Sequence, residues 1–169
     1  DGRGTGSSDR RACDPSLDAM VLDLQAVVQR LGLSRFALVG PTLGGPIAIA
    51  YAGLFPAQVS HLALWCTSAR VNDVYPQGSE PMDQMAATDW QFMTESIAHA
   101  ALNWNRPELA REMAALLRTC VDPDLLVAAM PVQRAHDATQ YLGRITARTL
   151  VVSPSTVASP SGSSSTRKP

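Results

Sequence analysis

The sequence contains few of the residues that mark disulfide-linked, zinc-binding or membrane-spanning proteins. Its 3 cysteines lie far apart and form no C-x-x-C pair, so neither a disulfide scaffold nor a zinc site is expected. No apolar run approaches the ~20 residues that a membrane span requires. No basic segment followed by an apolar one opens the chain, as a secretory signal would. These observations predict a protein of the cytoplasm, a reducing compartment, with no metal and no membrane partner.

Positive charge is also scarce. The chain has 14 lysines and arginines against 15 aspartates and glutamates, a formal net charge of -1, and Lys168 is its only lysine. Without a broad basic surface we expect no binding to nucleic acid or to anionic lipid. The 46% of hydrophobic and 17% of charged residues are ordinary for a globular protein, and 169 residues suffice for one domain with a core.

Both ends of the chain are rich in turn residues. It opens with DGRGTGSSDRR instead of a methionine, which predicts that it is a fragment of a longer protein. Residues 153 to 169 read SPSTVASPSGSSSTRKP and contain almost no apolar side chain. Such a segment cannot bury enough surface to offset the entropy lost on ordering, so it is predicted to be disordered.

The first half of the chain alternates helical and strand-like patterns. Apolar residues recur at helical spacing from 17 to 31, with Asp14 or Ser16 as the N-terminal cap and Gly32 as the residue that ends the helix. RFALVG and VSHLALWCT are short continuous apolar runs, which predict strands buried on both faces of a parallel sheet. Between them, PIAIAYAGLFP predicts a helix lined with alanine that ends before its last proline.

The second half is predicted to be mainly helical. Residues 82 to 104, 106 to 120 and 122 to 142 carry helical patterns, and two of these segments have a proline at the start, where a helix tolerates it. ARTLVV, residues 147 to 152, restores the pattern of a buried strand. The predicted fold class is therefore α/β, with a helical insertion between two strands of a parallel sheet.

Two motifs resemble those of the α/β-hydrolase fold family. DGRGTGSSDR resembles the D-x-R-G-x-G-x-S loop of that family, and GPTLGG, residues 40 to 45, resembles the G-x-S-x-G nucleophile elbow followed by a further glycine. The resemblance extends from residue 1 to about 152. It implies a partial α/β-hydrolase core at residues 1–71 and 144–152, a helical cap at 72–143 and the disordered tail at 153–169.

The resemblance also implies a site and a chemistry. Thr42 stands at the nucleophile position, and the backbone N–H of Leu43 is the expected oxyanion donor. Gly40 and Gly44 are expected to allow the close approach of strand and helix, with Gly45 adding slack. The implied reaction is hydrolysis of an ester or related acyl bond in a small, largely apolar substrate, without any cofactor.

The chain departs from the family pattern at all three catalytic positions. The elbow residue is Thr42 instead of serine, so it is either a weak nucleophile or a residue that only fills the turn. His61, His99 and His136 are not where the family places its base, and each is expected to be a partly exposed packing residue. No carboxylate follows ARTLVV, and Asp73, near an alternative acid position, is expected to be an ordinary loop residue.

Two functions remain open on this reading. The chain is a hydrolase of impaired activity, or it is a non-catalytic sensor or interaction module that kept the hydrolase shape. The strands that precede the elbow strand in the family are not in the sequence. An apolar sheet edge is therefore expected to be exposed and to promote association.

Overall fold

The computed structural model describes residues 1–10, 14–73, 80–102 and 104–153. The predicted disordered tail therefore lies, beyond Ser153, outside the described residues. Three parallel strands form one sheet, in the spatial order β1–β2–β3. They are β1 (Phe36–Pro41), β2 (Val59–Trp65) and β3 (Arg148–Val152).

Six α-helices accompany the sheet in the described part of the chain. They are α1 (Leu17–Arg30), α2 (Gly44–Leu54), α3 (Glu80–Thr88), α4 (Trp90–Ala101), α5 (Pro107–Cys120) and α6 (Pro123–Arg134). Two short 3-10 helices, Val71–Asp73 and Thr139–Arg144, lie at the two ends of the helical insertion. The order of strands and helices is that of a parallel α/β protein, as predicted.

Helix α1 begins and ends where its sequence indicates. Of the two candidate caps, Ser16 is used, because its hydroxyl accepts a hydrogen bond from the backbone N–H of Ala19 at 3.3 Å. Gly32 follows the helix with a φ of 64°, a left-handed conformation that glycine adopts without steric cost.

The core lies between the sheet and helix α2. Its largest fully buried side chains include Tyr51 and Ile49 of α2 and Leu62 of β2. Small side chains allow this helix to lie close to the strands, because a Cβ on Gly40 would come within 2.7 Å of the Ala48 Cβ atom. Strand β1 and helix α2 therefore pack closely, because the residues at their contact are small.

None of the strands is buried on both faces, which corrects the expectation: β1 and β2 are more buried on one face than on the other, and β3 is exposed throughout. In β1, Val39 is 62% exposed while its neighbour Gly40 is buried, and all of β3 is exposed, including Leu150 at 61%. The apolar runs of these strands are suited to a sheet with helices on both sides. In the described part of the chain helix α2 packs against β1 and β2 on one side, with α1 packed against α2, and the other side is open.

The helical insertion between β2 and β3 contains α3 to α6. The segment predicted as helical from 82 to 104 is divided, because Asp89 caps a new helix by accepting a hydrogen bond from the Phe92 N–H at 2.9 Å. Helices α4 and α5 pack through the fully buried residues Ala98, Ala110 and Ala114. The division into a core and a cap remains a prediction. No helix within the described ranges is long and apolar enough to cross a membrane.

Candidate active site at the turn between strand β1 and helix α2

The turn that joins β1 to α2 places Thr42 in a left-handed backbone conformation with a φ of 46°. The backbone N–H of Thr42 donates to the carbonyl oxygen of Trp65 in β2 at 3.0 Å. Its own carbonyl oxygen accepts from the N–H of Gly45 at 3.2 Å, which closes the turn. A β-branched residue is rare at positive φ, so the turn holds Thr42 under backbone strain.

The glycines of the turn divide their roles differently from the expectation. A Cβ on Gly45 would lie 1.9 Å from the Thr67 Oγ1 atom, whereas a Cβ on Gly44 would lie 3.4 Å from the Pro41 Cδ atom, an ordinary contact. The close approach is therefore made by Gly40 and Gly45, and Gly44 has space around it. The expected assignment of close packing to Gly44 and slack to Gly45 is wrong in this respect.

Thr67 supports the turn, a role that the sequence analysis did not identify. It follows the carboxyl end of β2, and its hydroxyl donates to the carbonyl oxygen of Thr42. The signal was present in the sequence, because the carboxyl ends of adjacent parallel strands meet at one edge of the sheet. A polar residue just after β2 is therefore a candidate neighbour of the residue that follows β1.

Leu43 occupies the cap position of helix α2, and its side chain contributes no capping hydrogen bond. Its backbone N–H has no hydrogen-bond acceptor among the residues that the structure describes. The N-terminus of a helix carries a partial positive charge, which favours an anionic oxygen nearby. Leu43 therefore has the properties expected of one oxyanion donor.

Two cavities are lined by Leu43 of the turn. The first, of about 160 Å³, is lined by Met20, Leu43, Gly44, Ile47, Val71, Gln133 and His136. The second, of about 150 Å³, is lined by Leu43, Val71, Met93, Ile97, Leu126, Met130, Gln133 and Arg134. Three residues, Leu43, Val71 and Gln133, line both. Apolar side chains predominate in both walls, so the cavities suit a small ligand with an apolar body.

The histidines occupy three different environments. His61 is exposed on β2 and pairs in register with Ala37, which is about 16 Å of strand away from the turn. His99 stacks on the ring of Trp104 with a centroid distance of 5.1 Å. His136 is 6% exposed, so it is buried and not partly exposed as expected. It lines the first cavity, and its Nε2 atom lies 2.8 Å from the carbonyl oxygen of Pro15.

The carboxylates of Asp73 and Asp137 are engaged by neighbouring residues. Asp73 is exposed and pairs with Arg70, with 3.2 Å between its Oδ2 atom and the Arg70 Nε atom. Hydrogen bonds from the side chain and backbone of Thr139 lower the pKa of the exposed Asp137 carboxyl. The Thr42 hydroxyl has no hydrogen-bond partner within the described ranges. Among the side chains that the structure describes, no histidine and acid therefore stand in hydrogen-bonding order beside this hydroxyl.

A metal site is not evident from the described side chains. No group of three or more histidine, cysteine, aspartate or glutamate residues within them is placed to hold an ion. The turn offers instead a hydroxyl, a backbone N–H and an apolar cavity.

In this structure a strand of a parallel sheet ends in a sharp turn that carries a hydroxyl residue, and a helix follows at once. This arrangement defines the class of α/β proteins with a nucleophile elbow. The sequence matches the alpha/beta hydrolase fold family over residues 1–154. The chain belongs to this family. None of the curated proteins compared with the chain matches it.

Solved structures share this fold at low sequence identity. Bromoperoxidase from Bacillus anthracis is similar with a TM-score of 0.78 and 14% identity, over 90% of this chain and 61% of that one. The enol-lactonase from Burkholderia xenovorans LB400 is similar with a TM-score of 0.71 and 21% identity, over 90% of this chain and 60% of that one. A thermophilic esterase from Thermogutta terrifontis is similar with a TM-score of 0.68 and 25% identity, over 90% of this chain and 59% of that one. The chain thus spans about three fifths of the length of these structures.

Proposed function

We propose that this chain carries the nucleophile turn and acyl pocket of a hydrolase that cleaves an ester or related acyl bond in a small, largely apolar substrate. The observation that carries the proposal is Thr42 at a φ of 46° in the turn between β1 and α2. An apolar cavity adjoins this turn at Leu43 and Gly44. An esterase and an enol-lactonase are among the proteins of similar fold.

The proposed reaction follows from the groups at the turn. The hydroxyl oxygen of residue 42 attacks the acyl carbon, and its proton passes to a base. The carbonyl oxygen becomes an oxyanion, which the Leu43 N–H and the N-terminus of α2 stabilise. The leaving alcohol takes a proton, and water then releases the acid from the acyl-enzyme.

Activity in this chain is proposed to be impaired. The methyl group of Thr42 occupies space beside its hydroxyl, and no histidine among the described residues bonds to that hydroxyl. The base would have to come from outside the described residues. Removal of catalytic partners from such a site lowers kcat by on the order of 10⁴ to 10⁶. We therefore expect only residual hydrolysis of p-nitrophenyl butyrate.

The test compares residue 42 as threonine, serine and alanine in the full chain. A fluorophosphonate that phosphonylates activated hydroxyls is the probe, and peptide mass spectrometry locates the adduct. Thr42→Ser removes the crowding methyl, so we expect labelling of residue 42 at least about ten-fold faster than in the unaltered chain. Thr42→Ala is the control that takes no label there. Equal and negligible labelling of all three proteins would contradict a turn poised for catalysis.

The alternative function is a non-catalytic sensor or interaction module that uses the same pocket. One observation favours it: a β-branched threonine stands at a position of positive φ, where it is strained and its hydroxyl is unpaired. On this alternative, apolar ligands bind to the chain and the Thr42→Ser substitution produces neither labelling nor turnover. The labelling experiment therefore separates the two functions.

A further inference from the structure

The first cavity beside the turn has two polar residues in an otherwise mainly apolar wall. Gln133 lies in the last turn of α6, and His136 follows shortly after the helix ends. The backbone N–H of His136 donates to the carbonyl oxygen of Gln133 at 3.1 Å, so the two residues are one turn apart. Both line the cavity together with Leu43 and Gly44.

The hydrogen-bonding state of the His136 ring is fixed at one nitrogen. The Nε2 atom lies 2.8 Å from the carbonyl oxygen of Pro15, and a carbonyl oxygen can only accept a hydrogen bond. Nε2 therefore carries the hydrogen. In the neutral ring Nδ1 is then an acceptor, and no described residue donates to it. The imidazole of His136 is thus anchored on one side and has an acceptor left on the other.

Gln133 adds the complementary group. Its side-chain amide offers an N–H donor and a carbonyl acceptor. Neither of these groups has a hydrogen-bond partner within the part of the chain that the structure describes, although the residue is half-buried. Polar groups in a mainly apolar pocket commonly fix the orientation of a ligand, because each one left without a partner destabilises a mismatched complex.

We propose that Gln133 and His136 form a recognition pair for a secondary amide carried by an otherwise apolar ligand. The amide N–H of the ligand donates to Nδ1 of His136, and its carbonyl oxygen accepts from the side-chain amide of Gln133. The ligand's apolar body contacts Leu43, Met20 and Ile47 in the same cavity. This inference deepens the proposed function, on which it rests only for the statement that the ligand occupies this pocket.

The test uses two probes of the same shape that lack an ester bond. N-Methylhexanamide and octan-3-one differ in that the N–H of the amide is replaced by a methylene group. One net hydrogen bond corresponds to about a three- to ten-fold difference in dissociation constant. We therefore expect the unaltered chain to bind the amide about three- to ten-fold more tightly than the ketone, as measured by ligand-observed NMR titration.

Two variants assign the effect to residues. His136→Phe keeps a planar ring and has no hydrogen-bond acceptor in it, so it should abolish the preference for the amide and leave ketone binding unchanged. Gln133→Met removes the donor to the carbonyl group that both probes share, so it should weaken both probes by about three- to ten-fold. Gln29→Met, on the exposed face of α1, is the matched control that should change neither affinity.

Equal affinity of the unaltered chain for the two probes, or absence of binding of both, would overturn the recognition pair without requiring any variant to fold. Persistence of the amide preference in a folded His136→Phe protein would overturn the role of His136. Because neither probe can be hydrolysed as an ester, these results do not depend on the labelling of residue 42. A failure of the amide preference is therefore distinguishable from a failure of the proposed hydrolase function.

Discussion

The close contact between helix α2 and the residue after β2 leads to a sharp prediction for the substitution Gly45→Ala. The added Cβ would lie 1.9 Å from the Thr67 Oγ1 atom, 2.5 Å from its Cγ2 and 2.6 Å from its Cβ, whereas an ordinary contact requires at least 3.4 Å. Either α2 or the segment after β2 must therefore shift by more than about 1 Å. The hydrogen bond from Thr67 to the Thr42 carbonyl would be lost in the process.

The expected magnitude combines two opposing effects. Insertion of a methyl group into a packed site costs about 1 to 3 kcal/mol, and alanine in place of glycine within a helix stabilises it by about 0.5 to 1 kcal/mol. We expect Gly45→Ala to lower the free energy of unfolding by about 1 to 2 kcal/mol. Gly44→Ala is the matched control one residue earlier, where the nearest atom would be 3.4 Å away. It should be neutral or stabilising by up to about 1 kcal/mol.

The measurement is urea-induced unfolding of the full chain, followed by circular dichroism at 222 nm. A second substitution, Thr67→Ala, removes Oγ1 and Cγ2 but keeps the Cβ that lies 2.6 Å from the added atom. It should therefore recover part, and not all, of the stability lost in the Gly45→Ala protein. Equal urea midpoints for Gly45→Ala and Gly44→Ala would refute the packing of the turn described above.

Three further predictions concern the scaffold around the turn. The Arg3 Nε atom and a terminal nitrogen contact both carboxylate oxygens of Asp23, at 2.7 and 2.8 Å. Arg3→Lys keeps the charge but not this paired contact, so it should lower the free energy of unfolding in urea titration by about 1 to 2 kcal/mol, and an unchanged urea midpoint would contradict this. Burial raises the pKa of Tyr51 above its usual 10.0, so the contribution of Tyr51 to stability should be complete below pH 10 and should fall as the pH rises through the folded-state pKa. The thermal unfolding of the Tyr51→Phe protein should therefore be less sensitive to alkali, and an alkaline profile identical to that of the unaltered chain would contradict this prediction. Leu150 is 61% exposed on the open strand β3, so Leu150→Lys should weaken concentration-dependent association measured by sedimentation velocity. Leu142 is 47% exposed in a 3-10 helix, and Leu142→Lys is the control that should not weaken this association.

Local sequence patterns predicted the elements of the fold well, because they depend on neighbouring residues. The periodic apolar positions of α1 predicted a helix that the structure places at Leu17–Arg30, and the run RFALVG predicted β1. The motif GPTLGG predicted the turn at Thr42 because strand, turn and helix are consecutive in the chain. The α/β-hydrolase fold was thus accessible from the sequence alone.

Features that depend on distant residues were not predicted. The tight position at Gly45 is set by Thr67, which approaches it only after β2 has paired with β1. The burial of His136 depends on its contact with Pro15, more than a hundred residues earlier in the chain. The open face of the sheet was missed because an apolar run reports what a strand could bury, and not which helices are present to cover it.

The strain at Thr42 bears on which of the two functions is correct. Its conformation is set by backbone hydrogen bonds to Trp65 and Gly45 and by the hydroxyl of Thr67, and none of these involves the Thr42 side chain. These contacts do not depend on the Thr42 side chain, so a substitution to serine should leave them in place, and threonine is held there against its own preference. A scaffold that fixes the backbone of residue 42 in this way preserves the arrangement that a serine would need for catalysis. The side chain at position 42, and not the backbone around it, is then what limits this part of the site, and for this reason a single substitution to serine is an informative test.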